Sequence, residues 1–339
     1  MLRHGEIVIL MLSILLTAIA AITLATFGIS IFQLSNFIYN AQLFTVSWLM
    51  IVSFQILIEL VRERPKSPVQ HVRTMFGASY WSRVRHGLPI VIGLVLFMPA
   101  FSAMKSAIPL LNDFTWDSTF IELDRTIHGT DPWRFLQPLF GSPLITAAIA
   151  ALYHLWILLI YCGSIYFAFY VVERQLVYRY FLSYLAIWSI GGVVLAIIFA
   201  SVGPCFVGPL LGMDTFDEKM ALLTAANEQF PIMVLDVQKL LLAWYMADDY
   251  GLGRGITAMP SMHVALAFLF FLAIRKVNRV AGIAFFIFFV AVLLGSVHTA
   301  YHYAVDGYFS IILTLLVWKL AGYLVSQRTK ESQLVTAPA

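Results

Sequence analysis

With 339 residues, 61% of them hydrophobic and only 12% charged, and a mean hydropathy of +0.86, the chain is excluded from the soluble globular class, where about a quarter of residues are charged. This composition predicts an all-α, polytopic membrane helical bundle whose apolar surface is largely lipid-facing. The net charge of +3 says little by itself and points to no nucleic-acid partner, and two cysteines, Cys162 and Cys205, cannot build a disulfide framework.

A span needs roughly 20 apolar residues. Eight runs meet or approach that length: 7–33, 40–61, 88–111, 143–171, 178–201, 260–275, 280–297 and 299–326. The first begins after Arg3, is too long for a signal-peptide core and is followed by no convincing cleavage site, so it reads as a retained anchor. Residues 280–326 cannot form one straight helix, which at 1.5 Å per residue would reach about 70 Å. A reversal is expected around Ser296–Thr299.

Loop charge gives the orientation. Segment 62–88 carries Arg62, Arg64, Lys66, Arg73, Arg83 and Arg85 against Glu63; the links with Arg174 and Arg179 and with Arg275, Lys276 and Arg279 are also basic, as is the tail with Arg328 and Lys330. The positive-inside tendency makes all of these cytoplasmic, with both termini inside. The alternate loops are acidic, one with Asp113, Asp117, Glu122, Asp124 and Asp131, the other with Asp214, Asp217, Glu218, Glu228, Asp236, Asp248 and Asp249. Within them, Trp116–Phe140 and Asp217–Met246 mix aromatics with charges, as interface-lying helices do and as ordinary packed loops can. The expected organisation is an N-terminal part, 1–90, of spans and a basic cytoplasmic loop, then a membrane catalytic part, 91–326, and a cytoplasmic tail, 327–339.

Two polar motifs interrupt the apolar C-terminal third: Ala258-Met259-Pro260-Ser261-Met262-His263, and His298-Thr299-Ala300-Tyr301-His302-Tyr303-Ala304-Val305-Asp306. Ionisable groups near lipid are costly and so mark candidates for function. The alternation of loops puts His263, His302 and Asp306 at the outer ends of their spans, at one extracytoplasmic face. Pro260 suits the first position of a helix, which places Ser261, Met262 and His263 in a first turn whose free N–H groups favour an anion. His302 and Asp306, spaced i, i+4, share a helix face. A carboxylate there can accept the ring N–H, fix the tautomer and leave the other nitrogen free to attack phosphorus. His263 could then protonate the departing oxygen as general acid.

The candidate catalytic set is therefore His263, His302 and Asp306. Lys105, Arg254, Ser261 and His298 are candidate substrate- and phosphate-binding residues, the first two as fixed cations and His298 as a lining or turn-capping residue. The scheme needs no metal and no other cofactor. His154 reads as a structural histidine, and His128 and His71 as loop histidines. Because imidazole and carboxylate suit zinc, a metal site of His263, His298, His302 and Asp306 is one alternative. A transporter using the same groups as a proton relay is another, disfavoured by their clustering at one face and by the lack of a visible inverted repeat.

Pro260-Ser261-x-His263 with His302-x-x-x-Asp306 resembles the second and third signatures of the type 2 phosphatidic acid phosphatase superfamily. Met262, where glycine is usual, and His302-Tyr303-x-x-Asp306 are similar to the branch containing fungal inositol phosphorylceramide synthase and its bacterial relatives. Lys105-x-x-Ile108-Pro109 and Leu123-Asp124-Arg125 through His128-Gly129-Thr130-Asp131-Pro132 are similar to that branch too, so the resemblance covers 100–326. It implies a six-helix catalytic core, a nucleophile at His302 oriented by Asp306, and acid catalysis by His263. The implied substrate is a lipid phosphate, sphingolipid or phospholipid drawn from the bilayer, whose phosphoryl-type group passes from the histidine to water or to a polyol acceptor. Gly295-Ser296 stand where the general pattern has Ser-Arg, and no Lys-x6-Arg-Pro element is present. Lys105 and Arg254 are the expected substitutes, and Met262 tilts the expectation towards transfer.

Overall fold

The computed structural model describes residues 4–251 and 253–336; the last residues of the expected tail, 337–339, lie outside the described residues. The described residues are mostly helical and contain no strand. The chain opens with α1 (His4–Ala25), α2 (Leu34–Glu63), the short α3 (Pro68–Met75) and α4 (Ala78–Ser106). Helix α4 begins ahead of its apolar run because aromatic and polar residues at 78–87 extend the helix past the hydrophobic stretch. It passes unbroken through residue 90, so the expected organisational boundary falls inside one helix. Helix α1 packs along α4 and is tied to the bundle by Glu6, fully buried, which accepts from Arg174 Nη2 at 2.7 Å and faces His86 Nδ1 at 3.4 Å.

The first acidic loop folds as α5 (Ile108–Leu111), α6 (Asp117–His128) and α7 (Trp133–Phe140). A long span follows, from α8 (Pro143–Leu158) through a π-helical turn at Leu159–Gly163 into α9 (Ser164–Phe169). The next runs from α10 (Arg174–Ala186) through a π-helical stretch at Ile187–Leu195 to α11 (Ala196–Ile198). The second acidic loop carries α12 (Pro204–Leu211), α13 (Asp217–Asn227) and α14 (Met233–Met246), and the chain ends in α15 (Met262–Val277), α16 (Arg279–His298) and α17 (Ala304–Thr336).

Among the described residues seven helices are long and apolar enough to cross a membrane, one fewer than the eight spans expected. The exception is α15, whose 16 residues cover about 24 Å at 1.5 Å per residue, short of a hydrocarbon core of about 30 Å. Its start is recessed because residues 258–261 are drawn into the bundle: the Ala258 N–H donates to the Ser201 carbonyl at 2.9 Å and the Met259 N–H to Ser201 Oγ at 3.2 Å. Met262 then lies against the π-helical stretch, where a Cβ on Gly191 would come within 2.9 Å of its terminal methyl and one on Gly192 within 3.1 Å of its sulfur. The reversal before α17 occupies 299–303, slightly later than expected, with the Tyr301 and His302 N–H groups both donating to the Ser296 carbonyl at 3.0 and 3.2 Å.

Candidate active site

His302 is the last but one residue before α17, and Asp306 is in that helix's first turn. The expected pair forms, but across the helix start rather than along a helix face: His302 Nδ1 lies 3.2 Å from Asp306 Oδ2, which also accepts the Tyr303 N–H at 3.0 Å. A carboxylate at the third helical position reaching back to the N-cap N–H is half of a capping box, so the geometry that starts the helix also orients the histidine. Both residues are buried, Asp306 completely. Burial first, and then the Lys105 ammonium, push the His302 imidazole below its ordinary value, while a hydrogen bond to the Ala258 carbonyl acts the other way. The net direction keeps the ring neutral, the nucleophilic form.

His263 reaches the same place from α15. Ser261 is the N-cap, its Oγ accepting from the Val264 N–H at 3.4 Å, so Pro260 precedes the cap instead of opening the helix as expected. Two aromatics of α8 hold the His263 ring: Tyr153 stacks on it at 4.5 Å between centroids, and Trp156 lies 4.0 Å away. The His263 and His302 centroids are 5.7 Å apart. Both rings line a cavity of about 60 Å³ with Lys105, Pro260, Met262 and Tyr301. Lys105, in the last turn of α4, is thus brought to the two histidines.

The other candidates are placed elsewhere. Ser261 is fully buried with its hydroxyl committed to capping. Arg254 is ion-paired with Asp249, its guanidinium 5.0 Å from the Trp244 ring centroid, and is not among the residues lining the cavity. His298, at the end of α16, faces α8: its Nε2 is 3.0 Å from Thr146 Oγ1 and its ring meets Phe140 edge-on. It does not join His263, His302 and Asp306, and no group of three or more His, Cys, Asp and Glu among the described residues is arranged to hold a metal ion. His154 bonds the Ala150 carbonyl within its own helix at 2.8 Å. His128 closes α6 instead of standing in a loop, linking the Asp124 carbonyl at 2.7 Å to the Tyr308 hydroxyl at 2.9 Å.

Several residues around the site carried no assigned role in the sequence reading, although Asp124 stands in one of its motifs. Asp117 accepts from the Val202 and Gly203 N–H groups, at 2.9 Å each for the shorter contacts, and from the Tyr303 hydroxyl at 2.7 Å. Asp124 accepts from the Ala304 and Val305 N–H groups at 2.8 and 3.0 Å. Burial pushes both carboxyls up, and these backbone donors oppose it. Lys219, fully buried, donates to Gln137 Oε1 at 2.7 Å and lines a void of about 10 Å³ that also touches Asp124 and His302. The available signal was the i, i+7 spacing of Asp117 and Asp124, which sets two acids on the apolar face of α6 with Phe120 and Ile121.

Seven helices long and apolar enough to cross a membrane, with two histidines and a lysine lining one cavity and an aspartate paired to one of those histidines, define the class: a polytopic helical membrane protein. The chain belongs to the PAP2 superfamily, whose family model matches residues 118–320 and so includes His263, His302 and Asp306 but not Lys105. Membership supports phosphatase- or phosphotransferase-type activity on lipid phosphates. No curated protein and no solved structure matches the chain.

Proposed function

We propose that the protein transfers or hydrolyses the phosphoryl-type group of a membrane lipid at the extracytoplasmic face, with His302 as the nucleophile. The observation that carries this is the His302–Asp306 pair, at 3.2 Å, facing His263 across a cavity that Lys105 also lines. In the reaction the His302 ring nitrogen not paired with Asp306 attacks phosphorus and the P–O bond to the leaving group breaks. A phosphohistidine results, and His263 delivers a proton to the departing oxygen. Lys105 balances charge on the equatorial oxygens. Water then completes hydrolysis, or an alcohol completes transfer, and His263 takes back the proton. Resemblance of Met262 and His302-Tyr303-x-x-Asp306 to the inositol phosphorylceramide synthase branch supports transfer to a polyol from a phospholipid or sphingolipid donor.

Lipidomic comparison of membranes from cells with the wild-type protein, with His302→Ala and with neither tests this reading. A phosphate-bearing lipid should fall and its product rise only with the wild type; identical profiles for wild type and His302→Ala remove the nucleophile assignment. The orientation is tested separately by a reporter fused after Ala339, expected inside the cell.

A further inference from the structure

We propose that Asp124 is a positioning residue for the His302–Asp306 pair, acting in trans as the N-terminal cap of the helix that carries Asp306. The first N–H groups of any helix lack partners within it and are ordinarily satisfied by the side chain of the N-cap residue. Here that residue is Tyr303, whose hydroxyl is too remote to cap and instead donates to Asp117. Its own N–H is taken by Asp306. The next two N–H groups, of Ala304 and Val305, go one to each oxygen of Asp124, at 2.8 and 3.0 Å, from a helix 180 residues earlier in the chain. Asp124 is buried, and its carboxylate stands at the positive end of the α17 dipole, where negative charge is favoured. One turn along α6, the His128 bond to Tyr308 fixes the same pair of helices a second time.

Asp124 makes no hydrogen bond to His302, so its role passes through the backbone. It holds the first turn of α17 closed, and that turn carries Asp306 to 3.2 Å from His302, near the long end of a hydrogen bond. Opening the turn by a fraction of an ångström breaks the pair. A misplacement of about 1 Å in an active site costs on the order of 10²-fold in rate, and that is the loss expected in kcat.

The inference rests on the reading of His302 as nucleophile, so the experiment carries one readout that depends on turnover and one that does not. The first is kcat and KM on dioctanoyl phosphatidic acid in detergent. The second is the downfield Nδ1–H resonance of His302 in ¹H–¹⁵N spectra of histidine-labelled protein, identified by its disappearance in His302→Ala. Asp124→Asn keeps one acceptor oxygen, loses the other, and should lower kcat on the order of 10²-fold with KM unchanged while broadening or displacing the resonance. Asp131→Asn, which removes ion pairs of the same region with Arg125 and Arg134 but touches nothing at 302–306, should do neither. If the Asn variant does not fold, Asp124→Glu, with both oxygens on a longer stem, is read by the same two measurements. Wild-type kcat or an unmoved resonance in a folded variant overturns the proposal, as does an equal loss in Asp131→Asn. Full turnover by His302→Ala overturns the nucleophile reading instead, and the resonance then judges Asp124 alone.

Discussion

Replacing Lys105 with methionine keeps most of the stem and removes the charge, and the structure allows its consequences to be worked separately. None of the residues lining the cavity with Lys105 is acidic, so on the proposed reading the ammonium meets its counter-charge there in the substrate phosphate. Losing one pre-positioned donor aimed at developing charge costs about 2.7–4 kcal/mol, or on the order of 10²–10³-fold in kcat. A second effect concerns proton affinity. Lys105 is the second cause, after burial, that holds the His302 imidazole low. Removing a nearby cation stabilises imidazolium, so the His302 pKa rises; because only the neutral ring attacks, the acid limb of the pH–rate profile moves to higher pH. Stability should move the other way from activity, since an uncompensated cation has been taken out of a confined site. The assay is turnover of dioctanoyl phosphatidic acid in mixed micelles across the acid range, with thermal unfolding in the same detergent and Lys105→Arg as the charge-keeping control. An unchanged kcat/KM with an unmoved acid limb would refute the assignment of Lys105 to the site.

His263→Gln should lower turnover of alkyl phosphates by about 10²–10⁴-fold, the range for a lost general acid, and that of a nitrophenyl phosphate much less, because a good leaving group needs no proton; equal losses on both would refute acid catalysis. Gly203 has φ +91°, and a Cβ there would lie 2.6 Å from the Tyr301 carbonyl. Gly203→Ala should therefore cost about 1–3 kcal/mol of stability, seen as a fall in melting temperature, and should lower activity because Tyr301 lines the cavity. Burial lowers Lys219 to about 8. The folded protein thus sheds this proton before the unfolded chain does, and the Lys219 contribution to stability should rise as pH increases from about 8 towards the ordinary lysine range. Lys219→Met should be more stable near neutrality and should lack that rise; equal pH dependence in the two proteins would contradict it.

Most spans were legible because lipid leaves a chain few options: roughly 20 apolar residues must cross as helix, with backbone bonds satisfied internally. Their limits were not legible, since hydropathy marks depth in the bilayer, whereas Ser261 capping stops α15 and polar residues carry α4 and α17 beyond it. The His302–Asp306 pair was visible in its spacing, and His263 in its motif. Arg254 and His298 look equally suited on paper, yet Asp249 with Trp244 claims the first and Thr146 the second.

By itself, then, the sequence determined the solvent the protein lives in, the helical class that follows, and the side chains proposed to break a phosphoester, because these depend on composition and on spacing along one helix. Only the tertiary structure decided which cation meets the histidines, that α8 aromatics hold His263, and that two aspartates of α6 brace the turn before α17. Such contacts join residues far apart in the chain, and nothing in local pattern specifies which buried donor a distant carboxylate will find.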